Sequence, residues 1–208
     1  MDSLSASLKD VEGLLSDQLS RREKLLRESR DVISSCSRAI IDVHGGNLPE
    51  ALRQLAGAKE GLTSLRKLGD GPLIRYLVPP ETEFVEASTV IALAKGRPIP
   101  SRKSLGASPE AYLLGLLDTV GELKRLTLDS IMKGKMQAAE KHFQSMERLY
   151  SACSPLTVYD HVANGARRKV DVARMLVEDV RGLLAEEIRR EAVSEKMRRL
   201  ERRLAGSR

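Results

Sequence analysis

Apolar residues recur along this chain at steps of three and four almost from end to end, and no stretch alternates with a period of two for long enough to compete as a strand. Leu4, Leu8, Val11 and Leu15 open the pattern, which resumes at Leu25, Val32, Ile33, Ile40 and Ile41. They predict one long amphipathic helix, with room for a break, from a cap at Asp2 or Ser3 to a stop at Gly45-Gly46. A second helix is expected from about Pro49 to Leu68, with Leu52, Leu55, Ala56, Leu62 and Leu65 turned inward. Gly69 to Pro72 closes it, and a short element carrying Leu73, Ile74, Tyr76 and Leu77 leads to Pro79-Pro80. A third helix starts at these prolines, whose missing N–H would find no partner in a first turn anyway, and ends near Ala94.

The stretch KGRPIPSRKSLGASP that follows mixes Gly, Pro and Ser with Lys95, Arg97, Arg102 and Lys103, and reads as the longest loop. Ser108-Pro109-Glu110 is a strong helix start, with Ser as cap and Pro in the first position, for a fourth helix through Met132. Lys133-Gly134-Lys135 breaks it, a fifth helix runs to Cys153, and Ser154-Pro155 restarts the chain. The last helix is expected from about Leu156 towards Leu204, where Val193, Met197, Leu200 and Leu204 form a coiled-coil-like stripe amid dense charge. The pattern therefore predicts an all-α, single-domain bundle of about six or seven helices over residues 1–208, with long first and last helices and a tail that frays from about residue 200.

Composition narrows this picture in three ways. With 208 residues and only 3% aromatics, the core must be aliphatic. Lys+Arg 35 against Asp+Glu 29 gives +6, an excess that favours a polyanionic partner without naming one. Cys36 and Cys153 are too few and too far apart for a disulfide framework or a zinc ribbon, so they read as reduced core thiols. The start lacks a basic segment followed by an apolar one, and no run approaches a membrane span, so no membrane partner is expected and the cytoplasm is the expected location.

Candidate chemistry lies in two acid pairs. Glu83 and Glu86 stand three residues apart, on one face of a helix, and the nearest basic residues along the chain are Arg75 and Lys95. Asp118 and Glu122 are four apart on one face of the most apolar helix, among Leu114, Leu116, Leu117, Val120 and Leu123. A carboxylate in such company is costly unless paired or metal-bound. Hard divalent cations such as Mg²⁺ or Mn²⁺ take carboxylate and water oxygens, and phosphodiester hydrolysis commonly uses them. Spacing alone leaves a plainer account open, in which Glu122 pairs with Arg125 and Glu83 favours a helix N-terminus.

Three blocks in order, REKLLRESRDVISSCSRAIIDVH, TEFVEAS and YLLGLLDTVGELKRLTLDSI, resemble the translin family over about residues 20–195. Glu83-Phe84-Val85-Glu86 and Asp118-Thr119-Val120-Gly121-Glu122 are similar to the two active-site segments of its catalytic branch, the translin-associated factor X type. The resemblance implies that Glu83, Glu86, Asp118 and Glu122 bind Mg²⁺ or Mn²⁺ and catalyse endonucleolytic cleavage of single-stranded RNA. It also implies a curved helical protomer in a hollow oligomer, typically of eight subunits. The short loop from Lys95 to Ser108 fits a compact form that assembles as a homo-oligomer.

Arg27, Arg30 and Arg38 fall at roughly helical spacing in the first block, which in the family lines the nucleic-acid-binding interior, and His44 ends it. Such cations would hold phosphates without reading sequence, so single-stranded DNA is a second ligand class to test. The same arginines also suit a solvated face paired with Glu23, Glu28, Asp31 and Asp42, and His44 suits the negative end of a helix. Two further functions stay open: an oligomer that binds single-stranded RNA or DNA without cutting it, and a purely structural helical scaffold. No zinc spacing accompanies the histidines, and Gly69-Asp70-Gly71 lacks the rest of a phosphate loop.

Overall fold

The computed structural model describes residues 3–205. Among them are seven α-helices, two 3-10 turns and no strand: α1 (Ser3–His44), α2 (Leu48–Leu68), α3 (Val78–Ala94), α4 (Arg102–Leu105), α5 (Pro109–Met132), α6 (Met136–Cys153) and α7 (Ala166–Ala205). The 3-10 turns, Gly71–Leu77 and Ser154–Tyr159, precede α3 and follow α6. None of the helices is long and apolar enough to cross a membrane.

The ends of these helices follow their local chemistry. α1 is unbroken over 42 residues, so the break for which the pattern left room does not occur. It stops where Gly46 takes φ +76° and Asn47 N–H donates back to the Asp42 carbonyl at 2.8 Å, a left-handed closure that glycine makes cheap. The Asn47 side chain then caps α2 by accepting from Glu50 N–H. Of the two candidate caps for α1, Asp2 lies outside the described residues, and Ser3 is the first residue of the helix. The last helix is also long, at 40 residues, and continues to Ala205; residues 206–208 of the expected frayed tail lie outside the described residues.

Two boundaries differ from the pattern's prediction. The expected loop from Lys95 to Ser108 contains α4, one turn capped by the Ser101 hydroxyl, which accepts from Ser104 N–H at 3.1 Å, and closed by Gly106 at φ +62°. The last helix starts at Ala166, not Leu156. Ser154–Tyr159 winds as a 3-10 turn, and Asp160 accepts from Arg167 N–H at 2.9 Å, capping α7 seven residues on.

The chain divides into two compact units. The first runs to Thr119 and includes His161–Asn164; the second holds Val120–Asp160 and the residues from Gly165 onward. In the first unit Leu25, Val32, Cys36 and Ile40 of α1, Ala58, Leu62 and Leu65 of α2, and Phe84 and Ala87 of α3 form one aliphatic core. In the second, Leu123, Met146, Leu149, Val177 and Val180 are buried, and the Thr127 hydroxyl sits 3.9 Å from the Met146 sulfur.

Candidate metal and nucleic-acid site

α3 is buried on all sides. From Pro80 to Ala92 every residue is buried except half-buried Glu83, although the stretch carries three glutamates. Glu81 is satisfied by a distant cation: one carboxylate oxygen accepts from Arg66 Nε at 2.9 Å, and the other from Ser108 N–H at 2.8 Å. Ser108 is also the cap of α5, accepting from Ala111 N–H, so Glu81 ties the start of α5 to α3. Arg66 reaches on to the Leu105 carbonyl and joins α4 to the same knot. Neither Glu81 nor Arg66 stands out in the sequence, because the pair is separated by 15 residues.

Glu83 and Glu86 occupy a different strip of α3. At about 100° per residue, Thr82 and Val85 form one side of the helix, Phe84 and Ala87 another, and the two acids lie between them. Phe84 and Ala87 pack into the core with α1 and α2. The Thr82 and Val85 side meets α5 at Gly115, where an added Cβ would stand 2.5 Å from the Thr82 carbonyl oxygen and 2.8 Å from Val85 Cβ. Only glycine allows the two backbones this close. Glu81 meets Ser108 and Thr82 meets Gly115, so α5 touches α3 both at its cap and two turns on. Asp118, half-buried, lies one turn past that crossing on α5, as Glu86 does on α3.

The electrostatics on the α1 side agree. Cys36 is fully buried, and its thiol is pushed up to about 12, first by burial and then by the negative charge of Glu83 and Glu86. Both acids therefore project their field into the first unit beside α1. Glu122 lies one turn beyond Asp118 on the continuous α5 helix, within the second unit.

The donors suit a hard cation by type, since carboxylates are the ligands Mg²⁺ and Mn²⁺ take. Among the described residues, no three of His, Cys, Asp and Glu stand close enough together to hold a metal by themselves. Mg²⁺ characteristically keeps several waters and binds through one or two carboxylates together with substrate phosphates, so two carboxylates suffice to anchor it.

The three arginines of the first block stand elsewhere. Arg27 and Arg38 lie about half a turn round α1 from buried Cys36, and Arg30 about a third of a turn, so all three are exposed on the face turned away from Glu83 and Glu86. Arg38 is held by Ser34, Ser35 and Gln54, at 2.7, 3.0 and 3.2 Å. His44 is the half-buried last residue of α1, at the negative end of the helix.

Two features of the site escaped the sequence reading. Gly115 had a signal, a glycine interrupting the apolar run LLGLL, which marks close backbone approach. Glu81 had none, since its spacing from Glu83 is uninformative.

A sequence model of the Translin family matches residues 73–184. An uncharacterized protein of Methanocaldococcus jannaschii is 30% identical over 190 residues, which cover 90% of this chain and 85% of that protein. The solved structure of AfC3PO is 27% identical with a TM-score of 0.80, and that of AfC3PO in complex with duplex RNA is 26% identical with a TM-score of 0.78. Each similarity covers 87% of this chain and 96% of the other. The apo-NeC3PO structure, 21% identical with a TM-score of 0.59 over 90% of this chain and 98% of its own, shares the fold.

Proposed function

The chain belongs to the translin family, and from that premise we propose that it is a divalent-metal-dependent endoribonuclease of the translin-associated factor X type. It works inside a hollow homo-oligomer, with eight subunits as the expected number and single-stranded RNA as the substrate. The observation that carries this reading is the acid strip of α3: a buried Glu86 and a half-buried Glu83 kept together inside the first unit, with α5 drawn onto α3 at Gly115. Carboxylates are the ligand type a hard divalent cation takes, and two on one strip of a helix can serve the same ion. AfC3PO, whose fold this chain shares, forms a complex with duplex RNA, which supports RNA as the polyanion that the +6 charge favours.

Glu83, Glu86 and Asp118 would hold the ion, directly or through water, and Glu122 is the further ligand or base. When bound, Mg²⁺ or Mn²⁺ supplies positive charge against the phosphate oxygens and acidifies water at neutral pH. The protein's own part is positioning. Gly115 fixes the spacing of α3 and α5, Glu81 anchors the start of α5, and the buried faces of α3 keep the acid strip from turning away. Arg27, Arg30, Arg38 and His44 would contact backbone phosphates, so cleavage would follow strand accessibility more than base sequence.

A second reading is a non-catalytic RNA-binding oligomer, with single-stranded DNA as a further ligand. It is favoured by the lack, among the described residues, of a group of three metal-binding side chains. End-labelled single-stranded and duplex RNA, incubated with protein in Mg²⁺, Mn²⁺ or EDTA, separate the two. The first reading expects internal cuts in Mg²⁺ or Mn²⁺ that vanish in EDTA. Asp118→Asn should slow them by about 100-fold or more while RNA affinity stays within about twofold, because several kcal/mol of charge stabilisation in the transition state would be removed. RNA that is shifted on a gel yet intact in both metals would instead establish the binding protein.

A further inference from the structure

Arg22 and Arg75 converge on one phenol oxygen. Arg22 Nε donates to Tyr76 Oη at 2.8 Å and Arg75 Nη2 donates to the same atom at 3.2 Å. Their guanidinium carbons lie 5.3 and 5.1 Å from the ring centroid. Two donors fill the lone pairs of the hydroxyl, so its own O–H is left to donate outward. Each guanidinium also keeps further N–H groups, and the cluster consists of donors with no acceptor of its own to offer.

These three side chains line a cavity of about 290 Å³ together with Leu15, Gln18, Leu19, Pro72 and Leu73, and no carboxylate is among the lining residues. Asp17 and Asp70 are engaged by the neighbouring Arg21, which pairs with Asp70 and stands 3.8 Å from Asp17, and Glu23, next to Arg22 in sequence, does not line the cavity. Two positive charges thus face a cavity that, among the described residues, no carboxylate lines. The positive surroundings also lower the Tyr76 pKa, chiefly through the Arg22 hydrogen bond and next through that from Arg75.

A guanidinium pair with an added hydroxyl donor matches the several acceptor oxygens of a phosphate better than a single carboxylate or a chloride. The apolar ledge of Leu15, Leu19 and Pro72 beside it suits the flat face of a base, and the Gln18 amide can both donate and accept. We propose that Arg22, Arg75 and Tyr76 form a phosphate-binding subsite that holds one nucleotide of an RNA strand, at the junction of α1 with the 3-10 turn before α3. The choice of RNA as the source of the phosphate rests on the function proposed above; the phosphate chemistry does not. This subsite lies apart from Arg27, Arg30 and Arg38 along α1 and would add to whatever those residues hold.

The test compares the full-length protein with Arg75→Gln and Tyr76→Phe, the first of which leaves the Arg22–Tyr76 bond in place. RNA affinity is measured by fluorescence anisotropy across a salt series, with 5′-phosphorylated and 5′-hydroxyl strands. Arg75→Gln should weaken binding about fivefold to tenfold at 0.1 M salt and flatten the slope of log K against log salt by about 0.7, the single-strand value for one phosphate. Equal losses on both strands assign the site to a backbone phosphate, and a loss confined to the phosphorylated strand assigns it to the 5′ end. In parallel, inorganic phosphate is titrated against the melting temperature at fixed ionic strength. Wild type should be stabilised more than either variant, a result independent of whether the protein cuts or even binds RNA. Equal phosphate shifts in all three proteins, or an unchanged salt slope in a correctly folded Arg75→Gln, overturn the subsite.

Discussion

Glu81 and Glu83 are two residues apart, yet their surroundings give them different work. Glu81 spends both oxygens on Arg66 and Ser108 and fastens helices together. Glu83 and Glu86 charge the space around the Cys36 thiol. That thiol and Cys153, pushed up to about 11 by burial, both lie above the ordinary value of 9.0. A group whose pKa is raised by folding adds stability that is complete below its unfolded pKa and is lost as pH rises towards the folded one. Their contribution is therefore whole at pH 7 to 8 and disappears between about pH 9 and 12. The native protein should leave both cysteines unreactive towards a thiol reagent at pH 8, and denaturant should release two equivalents. Rapid labelling of Cys36 in the native state, located by peptide mass spectrometry, would show that it is neither sealed nor held by the acids. At this scale the sequence exposed what is locally odd, two acids without a nearby cation, and concealed what is settled at long range. Glu81 carries no such local signal, and only the fold reveals its partner, Arg66.

Helices were legible because their signals are local. The three-and-four period, Pro79-Pro80 at the start of α3, Ser108-Pro109 at the start of α5 and Gly45-Gly46 after α1 all act within a few residues, and each lies at the boundary observed. The misplaced start of α7 has the opposite cause. Leu156 and Val158 are apolar at plausible positions, but they are exposed in a 3-10 turn, and the side chain that caps the helix is Asp160. How two helices pack is less legible still, and Gly115 decides it for α3 and α5. Gly115→Ala should place a methyl against the Thr82 carbonyl, an atom that cannot swing aside as a side-chain end can. Relief requires α5 to move off α3, at a cost of about 1–3 kcal/mol. The expected result is a lower melting temperature together with cleavage reduced more than RNA affinity, since Asp118 moves with α5 while the exposed arginines of α1 do not. Unchanged stability and unchanged cleavage would mean that the close approach does not set the spacing of the acids.

For the whole molecule, the telling residues are leucines with nothing to cover them. Round α1, Leu4, Leu8 and Val11 lie on the face that Leu25, Val32 and Cys36 bury further along, yet these three are 46–64% exposed. Val193, Met197, Leu200 and Leu204 of α7 form a like stripe in the second unit, 56–64% exposed. An amphipathic face of that length, left open by its own chain, marks a surface for another protein. A second copy of this chain is the occupant that the proposed oligomer requires. Assembly also answers a difficulty within one chain, where Arg27, Arg30 and Arg38 face away from Glu83 and Glu86. An RNA strand held by the arginines of one subunit and cut by the acids of another needs both subunits present. Leu4→Glu with Leu8→Glu, which leaves the Arg22–Arg75–Tyr76 cavity untouched, should therefore reduce the mass measured by analytical ultracentrifugation, because burying each leucine contributes about 1.5–3 kcal/mol and a buried glutamate without a partner opposes association. The helical signal in circular dichroism should persist, since both positions are exposed in the single chain. RNA cleavage should fall with the mass. A variant that keeps its native mass would remove this stripe from the interface, and a dissociated variant that still cuts RNA at the native rate would show that one chain suffices.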